Sequence, residues 1–203
     1  MLLTTFFTLL FYYTSKILIV LKNPDTADLI LSSFHALISV FISFGYLSYI
    51  FTQETYLNLS TFSMGYALYD ICFLNFYNKN NMSITLHHLL MIIGVLGINF
   101  YKDPFVVKMY ALNYISEIST PFLNLSLYLY KNKMTDKTLL NLNLFNTSNV
   151  FLLMTYLIFR VLLGTYLIYR TAFYNILSNA QIVLTFLNYF WFYKLIKKSK
   201  KLS

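Results

Sequence analysis

Charged residues are scarce in this sequence. Asp, Glu, Lys and Arg make up 11% of its 203 residues, whereas hydrophobic residues make up 58%. A water-soluble domain carries roughly 25% charged residues, so the composition excludes an ordinary soluble protein. The apolar runs also lack the alternation of polar and apolar residues that characterises a porin-type barrel. Membrane-spanning helices are left, because backbone groups in lipid must be hydrogen-bonded within their own segment.

Cysteine, glycine and proline are also rare, with one, five and three copies. The single cysteine, Cys72, cannot form a disulfide within the chain, and we expect it to be a small buried side chain. The sequence has no glycine-rich phosphate loop and no GxSxG nucleophile motif. The adjacent pair His87 and His88 lacks the spacing of metal ligands on one helix face. We therefore expect no metal site, and we expect no nucleic-acid partner because no basic patch is interleaved with exposed aromatic residues.

Seven apolar segments account for nearly the whole chain, and each approaches the ~20 residues that cross a hydrocarbon core. Their connections are too short to hold a second domain. We predict an all-α, polytopic transmembrane helical bundle of about seven helices in a single domain, residues 1–203. The first segment lacks the basic start and the cleavage site of a signal peptide, so we expect it to stay as an anchor. The predicted spans are 2–21, 28–51, 60–77, 84–101, 105–130, 138–164 and 173–196.

Lysines are concentrated on one side of such a bundle, which we call the lysine-rich face. The positive-inside rule places this face in the cytoplasm, or in the matrix of a mitochondrion. The basic tail, residues 194–203, has three interpretations: a cationic flank that attracts anionic lipid, a dilysine-like retrieval signal of the endoplasmic reticulum, or a contact with an acidic protein. The ten lysines of this face are Lys22, Lys79, Lys131, Lys133, Lys137, Lys194, Lys197, Lys198, Lys200 and Lys201.

Six ionisable residues lie inside the predicted spans, where such residues usually face the bundle interior or a cavity. Helix rise places four of them, on three consecutive segments, within about 10 Å of the lysine-rich face. An aspartate beside an imidazole supports general acid–base catalysis, but the same contact can simply lock two helices together. The four are His35, Asp70, His87 and His88, and the other two are Glu117 and Arg160.

The directions of these side chains can be predicted in part. Adjacent helical residues point about 100° apart, so one of His87 and His88 turns to Asp70 and the other to a cavity or the interface. Pro121 has no N–H to bond the carbonyl of Glu117, which predicts a kink in the fifth span. Arg160 either pairs with Glu117 or snorkels to the far interface.

Three stretches resemble TLC-domain proteins, a family of endomembrane bundles that includes the ceramide synthases. They are GYALYD (65–70), SITLHH (83–88) and SEISTPFLN (116–124), and SSFHAL (32–37) and FRVLLGTY (159–166) look like further family positions. The resemblance covers residues 28–195 and is closest to the small TLC-domain-containing membrane proteins. It implies an intramembrane cavity that accepts a lipid chain and is lined by His35, Asp70, His87, His88, Glu117, Asn124 and Arg160.

The sequence departs from the synthases after the histidine pair. Ceramide synthases carry further acidic residues within that motif, whereas this chain has only Asp103 and Glu117. We therefore expect a non-catalytic, lipid-binding accessory or structural subunit, without a cofactor, whose partners are membrane lipids and other membrane protein subunits. The alternative is a ceramide synthase-like acyltransferase that uses acyl-CoA. His87 or His88 would then be the base or acyl acceptor, and Asp70 would orient it.

A transporter or scramblase is a third, weaker hypothesis, because the chain shows no inverted repeat. Near absence of soluble mass is typical of subunits of large membrane complexes. Since such complexes are commonest in mitochondria, we expect the mitochondrial inner membrane, with the endoplasmic reticulum as the alternative. Asn58-Leu59-Ser60 is a glycosylation sequon on the face opposite the lysines, and a glycan there would exclude mitochondria.

Overall fold

The computed structural model describes residues 2–77, 81–139, 141–171 and 176–199. Over these ranges the chain forms seven long helical segments, which confirms the predicted all-α bundle. Four segments are long and apolar enough to span a membrane: Leu2–Leu21, Pro24–Leu47, Met82–Tyr101 and Leu144–Thr171. The elements are α1 (Leu2–Leu21), α2 (Pro24–Leu47), α3 (Gln53–Phe76), α4 (Met82–Tyr101), α5 (Pro104–Ile115), α6 (Thr120–Lys131), β1 (Thr138–Leu139), β2 (Leu142–Asn143), α7 (Leu144–Thr155), α8 (Leu163–Thr171) and α9 (Ile176–Ser199).

Polar capping residues explain why α2 and α5 begin earlier than the predicted spans. The Asn23 side chain accepts a hydrogen bond from the Thr26 N–H and so caps α2, which begins at Pro24. Asp103 accepts from two N–H groups at the start of α5. Such caps satisfy amide groups that have no partner within the helix. The predicted spans left out these polar starts, and they began four residues late for α2, seven for α3, two for α4 and one for α5.

Two of the seven segments are not continuous α-helices. A 3₁₀ turn, Ser116–Ser119, separates α5 from α6, which confirms the interruption that Pro121 predicted. A π-helix, Tyr156–Leu162, joins α7 to α8. The sixth span begins at Leu144 rather than 138, because the preceding residues form a small hairpin of β1 and β2.

Helix α2 is central and packs against α1, α3, α5 and α6, while α4 packs against α3 and α9. An aromatic cluster fills the space between α1 and α3, and it includes Phe11, Phe62 and Tyr66. Gly65 allows this close approach, since a Cβ there would lie 2.6 Å from the Cβ of Phe7. The expectation for Cys72 was wrong, because its side chain is on the exposed side of α3.

The basic tail is described only in part. Helix α9 continues to Ser199, so the last span extends three residues beyond its predicted end at 196. Residues 200–203, with two of the ten lysines, lie outside the described ranges, as does Lys79. The three interpretations of the tail stay predictions.

Candidate functional site

The buried ionisable residues form two separate polar groups inside the bundle. The first, which we call the Asp70 group, joins α2, α3 and α4 and consists of His35, Ser39, Ser63, Asp70 and His88. The second, the Glu117 group, joins α4, the two irregular turns and α9. It consists of His87, Glu117, Ser119, Thr120, Arg160 and Asn188.

Asp70 and His88 are in direct contact, as one of the two predicted orientations of the histidine pair requires. The Nδ1 atom of His88 lies 3.1 Å from Oδ2 of Asp70. Among the described residues Nδ1 of His88 has no hydrogen-bond partner, so the contact is a close electrostatic approach rather than an aligned hydrogen bond. Asp70 is 3% exposed and His88 is 5% exposed. The edge of the His88 ring meets the Tyr66 ring at a centroid distance of 5.7 Å, which leaves the pair enclosed by packed side chains.

His35 belongs to the same group through an aromatic ring and two hydroxyls. Its ring stacks on Tyr66 with centroids 4.1 Å apart. Its Nε2 atom lies 3.0 Å from the Ser39 hydroxyl, which lies 2.9 Å from the Ser63 hydroxyl on α3. The imidazole therefore has a partner within the core, and this arrangement ties α2 to α3.

Arg160 and Glu117 form a buried ion pair, one of the two alternatives for this arginine. Nη2 of Arg160 donates to Oε2 of Glu117 at 3.1 Å. Two hydroxyls also accept from Arg160: Nε donates to Ser119 in the 3₁₀ turn at 2.7 Å, and Nη2 donates to Thr120 at the start of α6 at 2.8 Å. Nη1 reaches the Asn188 side-chain oxygen on α9 at 3.5 Å. A buried ion pair is tolerated when further hydrogen bonds satisfy its remaining donors and acceptors, as they do here.

The irregular backbone brings these two residues together. Glu117 lies in the 3₁₀ turn, and Arg160 lies in the π-helix. The Thr120 hydroxyl, just after the turn, donates to Glu117 Oε2 at 2.7 Å. π-helical turns inside α-helices are rare and occur frequently at functional sites. The coincidence of both irregular turns at one ion pair marks this as the better candidate for a functional site.

His87 faces the Glu117 group, while its neighbour His88 faces Asp70. The Nε2 atom of His87 lies 3.7 Å from Oε1 of Glu117. On its other side the ring meets Trp191 of α9 at a centroid distance of 5.6 Å. Across the described ranges, Nδ1 of His87 is buried without a hydrogen-bond partner.

A cavity of about 40 Å³ adjoins the Glu117 group. It has room for about three water molecules, at ~10–15 Å³ each. Polar side chains line one part of its wall and apolar ones the rest, and neither Asp70 nor His88 lines it. The lining residues are His87, Leu90, Met91, Gly94, Tyr110, Asn113, Tyr114, Ser116, Glu117, Arg160, Ala180, Gln181, Leu184 and Asn188.

The seven residues that the resemblance assigned to one cavity are thus divided. His87, Glu117 and Arg160 line the cavity, whereas His35, Asp70 and His88 form the packed group beside it. Asn124 lies elsewhere and donates to the Leu29 carbonyl at 3.1 Å and to a serine hydroxyl of α2 at 3.0 Å. Their proposed role in lipid binding stays a prediction.

Several lining residues were not singled out from the sequence. Three of them are polar residues in otherwise apolar spans, and this polarity could have indicated that they face the interior: Asn113, Gln181 and Asn188. The Gln181 amide donates to the Asn113 side-chain oxygen at 3.3 Å, which links α9 to α5. In the described part of the chain no three His, Cys, Asp or Glu side chains are arranged to hold a metal ion.

Comparison with known proteins identifies the family. The family model TRAM_LAG1_CLN8, described as the TLC domain, matches residues 1–197. The chain belongs to the TLC-domain family. The matched region includes α1, which lies outside the resemblance over residues 28–195. That the chain forms a single domain stays a prediction.

A protein of Acanthamoeba polyphaga mimivirus, named L438 and described as TLC domain-containing, is 30% identical over 131 residues. That match covers 60% of this TLC-domain chain and 61% of the viral protein. No solved structure gave a significant match.

Proposed function

We propose that this TLC-domain membrane protein binds a lipid at the cavity beside Glu117 and acts as a non-catalytic accessory or structural subunit of a larger membrane complex. One observation carries the proposal. His87, Glu117 and Arg160 line the cavity, whereas Asp70 and His88 do not. The side chains that could bind a polar lipid end are therefore separate from the pair that could act as a general base.

The wall of the cavity suits a molecule with a polar end and an apolar chain. Arg160 and Asn188 supply polar groups at one part, and Met91 and Leu184 supply apolar surface at another. Binding sites for small molecules commonly combine an apolar lining with a few placed polar groups. Because the cavity is small, we propose that it receives one end of the lipid, with the rest of the chain lying between α4 and α9.

The accessory role is supported by the state of the Asp70–His88 pair. A general base must come within hydrogen-bond reach of the proton that it removes. Both side chains are at least nine-tenths buried, and the His88 ring packs against Tyr66, so a substrate has no route to them without movement of α3 or α4. Phe100 and Tyr169, 83% and 82% exposed, are available to contact bilayer lipid or neighbouring subunits.

Filling the cavity tests lipid binding. We expect Ala180→Phe to place a ring in the cavity and to abolish co-purification of lipid, measured by native mass spectrometry of the detergent-solubilised protein. Val183→Phe is the matched control, since Val183 lies on the same helix and is 41% exposed. Equal lipid occupancy in the two folded variants would contradict the proposal.

The alternative function, acyl transfer from acyl-CoA, is favoured by the 3.1 Å contact between Asp70 and His88. It is tested with labelled acyl-CoA and lipid acceptors in membranes that contain the protein. The accessory role predicts no turnover above membranes that lack the protein. Turnover that is lost in a folded His88→Ala or His87→Ala variant would establish the enzyme instead.

For the membrane compartment we propose the mitochondrial inner membrane, with the endoplasmic reticulum as the alternative. Asn58 is exposed and lies in α3, five residues after the helix begins at Gln53. Fractionation of cells that express the tagged protein, together with glycosidase treatment, separates the two. A glycan on Asn58 would exclude mitochondria, and recovery with inner-membrane markers would exclude the endoplasmic reticulum.

A further inference from the structure

In the connection between α6 and α7, strands β1 and β2 pair as a hairpin at the lysine-rich face. Its strands pair antiparallel, with Thr138 opposite Asn143 and Leu139 opposite Leu142. Asn141 in the turn has a φ of 64°, a conformation that asparagine adopts more readily than most residues. The hairpin therefore has a defined register, with two leucines facing each other across the strands.

Hydrogen bonds attach this hairpin to the ends of both helices. The Met134 N–H donates to the Leu129 carbonyl of α6 at 2.8 Å, and the Leu144 N–H donates to the Lys137 carbonyl at 2.9 Å. The Asn143 side chain donates to the Thr135 carbonyl at 2.8 Å. The hairpin is thus held at the end of α6 and the start of α7.

One face of the hairpin is apolar and exposed. Residues directly opposite each other in a strand pair share a face, so Leu139 and Leu142 lie side by side, 60% and 58% exposed. The hydrogen bond from Leu144 to Lys137 continues the same register, and alternation along the strand places Lys137 on the leucine face. The opposite face carries Thr138 and Asn143, which are polar.

A two-stranded hairpin is marginally stable in water, and exposing two adjacent leucines would weaken it further. The bilayer interface resolves this problem, because leucines can enter the acyl boundary while lysine stems reach back to the phosphates. Lys133 and Lys137 outnumber Asp136 in this segment, and all three are exposed. The segment therefore keeps a net positive charge that complements an anionic leaflet.

We propose that this hairpin is a membrane-interface anchor that binds an anionic phospholipid leaflet. Leu139 and Leu142 enter the headgroup–acyl boundary, and Lys133 and Lys137 contact lipid phosphates. The anchor holds the α6–α7 end of the bundle against the lysine-rich leaflet, and it does not depend on lipid binding at the Glu117 cavity.

Site-directed fluorescence tests the depth of each face. The full chain, with Cys72 replaced by serine, receives one cysteine at Leu139 or, as the matched control, at Thr138. Each is labelled with an environment-sensitive dye in vesicles of phosphatidylcholine and phosphatidylglycerol. We expect spin-labelled lipid, but not aqueous iodide, to quench the dye at 139, and we expect iodide to quench the dye at 138.

Iodide quenching of equal strength at both positions would overturn the proposal. Protection at 139 from both quenchers in native membranes would also overturn it, because a protein partner would then cover the leucines.

The charge component is tested on the same label. A lysine near an anionic surface is worth ~1 kcal/mol, which corresponds to about a fivefold change in affinity. Replacing both Lys133 and Lys137 with glutamine should therefore reduce the preference for spin-labelled phosphatidylglycerol over phosphatidylcholine by up to about 25-fold at low salt. An unchanged preference would show that anionic lipid is not the partner of these lysines.

Discussion

The two polar groups of this TLC domain contain similar residues but differ in their backbone and in their access to space. The Asp70 group lies between regular helices α2, α3 and α4, and aromatic rings such as Tyr66 fill its surroundings. The Glu117 group lies where a 3₁₀ turn faces a π-helix, and a cavity adjoins it. Regular helices pack closely enough to hold the polar side chains of the Asp70 group against each other. The irregular turns bring more hydrogen-bond donors and acceptors together at the Glu117 group, and they leave a cavity beside it.

This difference predicts that the two groups have different roles. Interhelical polar contacts in membranes specify how helices register with each other, although each contributes little free energy. The Asp70 group fits that role, since each of its polar contacts joins helices or supports one that does. The Glu117 group does more than join helices, because His87, Glu117 and Arg160 present polar atoms to the cavity wall. Substitutions should therefore separate stability from lipid occupancy.

The largest effect is expected from Arg160→Met. Removing one partner of a buried ion pair leaves the other charge uncompensated and costs about 3–5 kcal/mol, here the Glu117 carboxylate. The free energy of unfolding, measured by denaturant titration in mixed micelles, should fall by that amount. Arg170→Met is the control, because Arg170 is exposed and its contacts with the Phe105 and Tyr166 rings are worth only about 0.5–1 kcal/mol at an exposed site.

Adding Glu117→Gln to Arg160→Met sharpens this prediction. The double variant no longer carries an unpaired buried charge, so a good part of the lost stability should return. A double variant as unstable as Arg160→Met alone would mean that the arginine stabilises the bundle through Ser119, Thr120 and Asn188 rather than through Glu117.

Gly94→Ala should give the next largest effect and act on the cavity. A Cβ at Gly94 would collide with the Tyr110 ring, whose hydroxyl donates to the Met91 carbonyl at 3.0 Å. Overpacking of this kind costs about 1–3 kcal/mol, and because both residues line the cavity we expect reduced lipid occupancy by native mass spectrometry.

Gly164→Ala is the matched control for this substitution. Its added Cβ would approach Thr185 at 3.3 Å, a milder contact, and Gly164 does not line the cavity. A similar loss of lipid in both variants would indicate that occupancy follows general stability and not the shape of the cavity.

Asp70→Asn should have a smaller effect and leave lipid occupancy unchanged. The substitution preserves the shape of the side chain while removing the charge that faces His88. Side-chain contacts between membrane helices average ~0.6 kcal/mol and reach about 1.7 kcal/mol, so the free energy of unfolding should fall within that range. Loss of bound lipid from a stable Asp70→Asn protein would contradict the separation of the two groups.

The sequence was sufficient to predict part of this arrangement. Helical geometry alone required His87 and His88 to diverge, and depth along the spans placed Asp70 near the pair. The break beside Glu117 was predictable because Pro121 lacks an N–H. The π-helix at Arg160 was not, since no residue type between 156 and 162 forbids an ordinary α-helix.

Contacts that depend on tertiary packing could not be predicted. Asn188 lies on the inward side of α9 only because of how that helix packs on α4 and α8. The sequence around it has no helical alternation of polar and apolar residues that would identify the inward side. Asn124 was assigned to the cavity by resemblance, yet the rotation of α6 directs its amide to α2. The cavity itself results from two irregular turns that meet in space, and they are 40 residues apart along the chain, counted from Ser116 to Tyr156.

The smallest expected effect comes from Ser63→Ala. The change removes the 2.9 Å hydrogen bond to Ser39, which keeps its contact with His35, and it also removes the Ser63 partner of the Tyr114 hydroxyl. Since such contacts average ~0.6 kcal/mol each, we expect a loss of about 1 kcal/mol or less. Ser126→Ala is the control, since it removes one buried hydroxyl pair at 2.7 Å between α6 and α7, outside both groups. If the two variants lose the same free energy of unfolding, the Asp70 group only holds neighbouring helices together. A severalfold larger loss for Ser63→Ala would mean that its members act cooperatively, and the group would then need a role beyond locking α2 to α3.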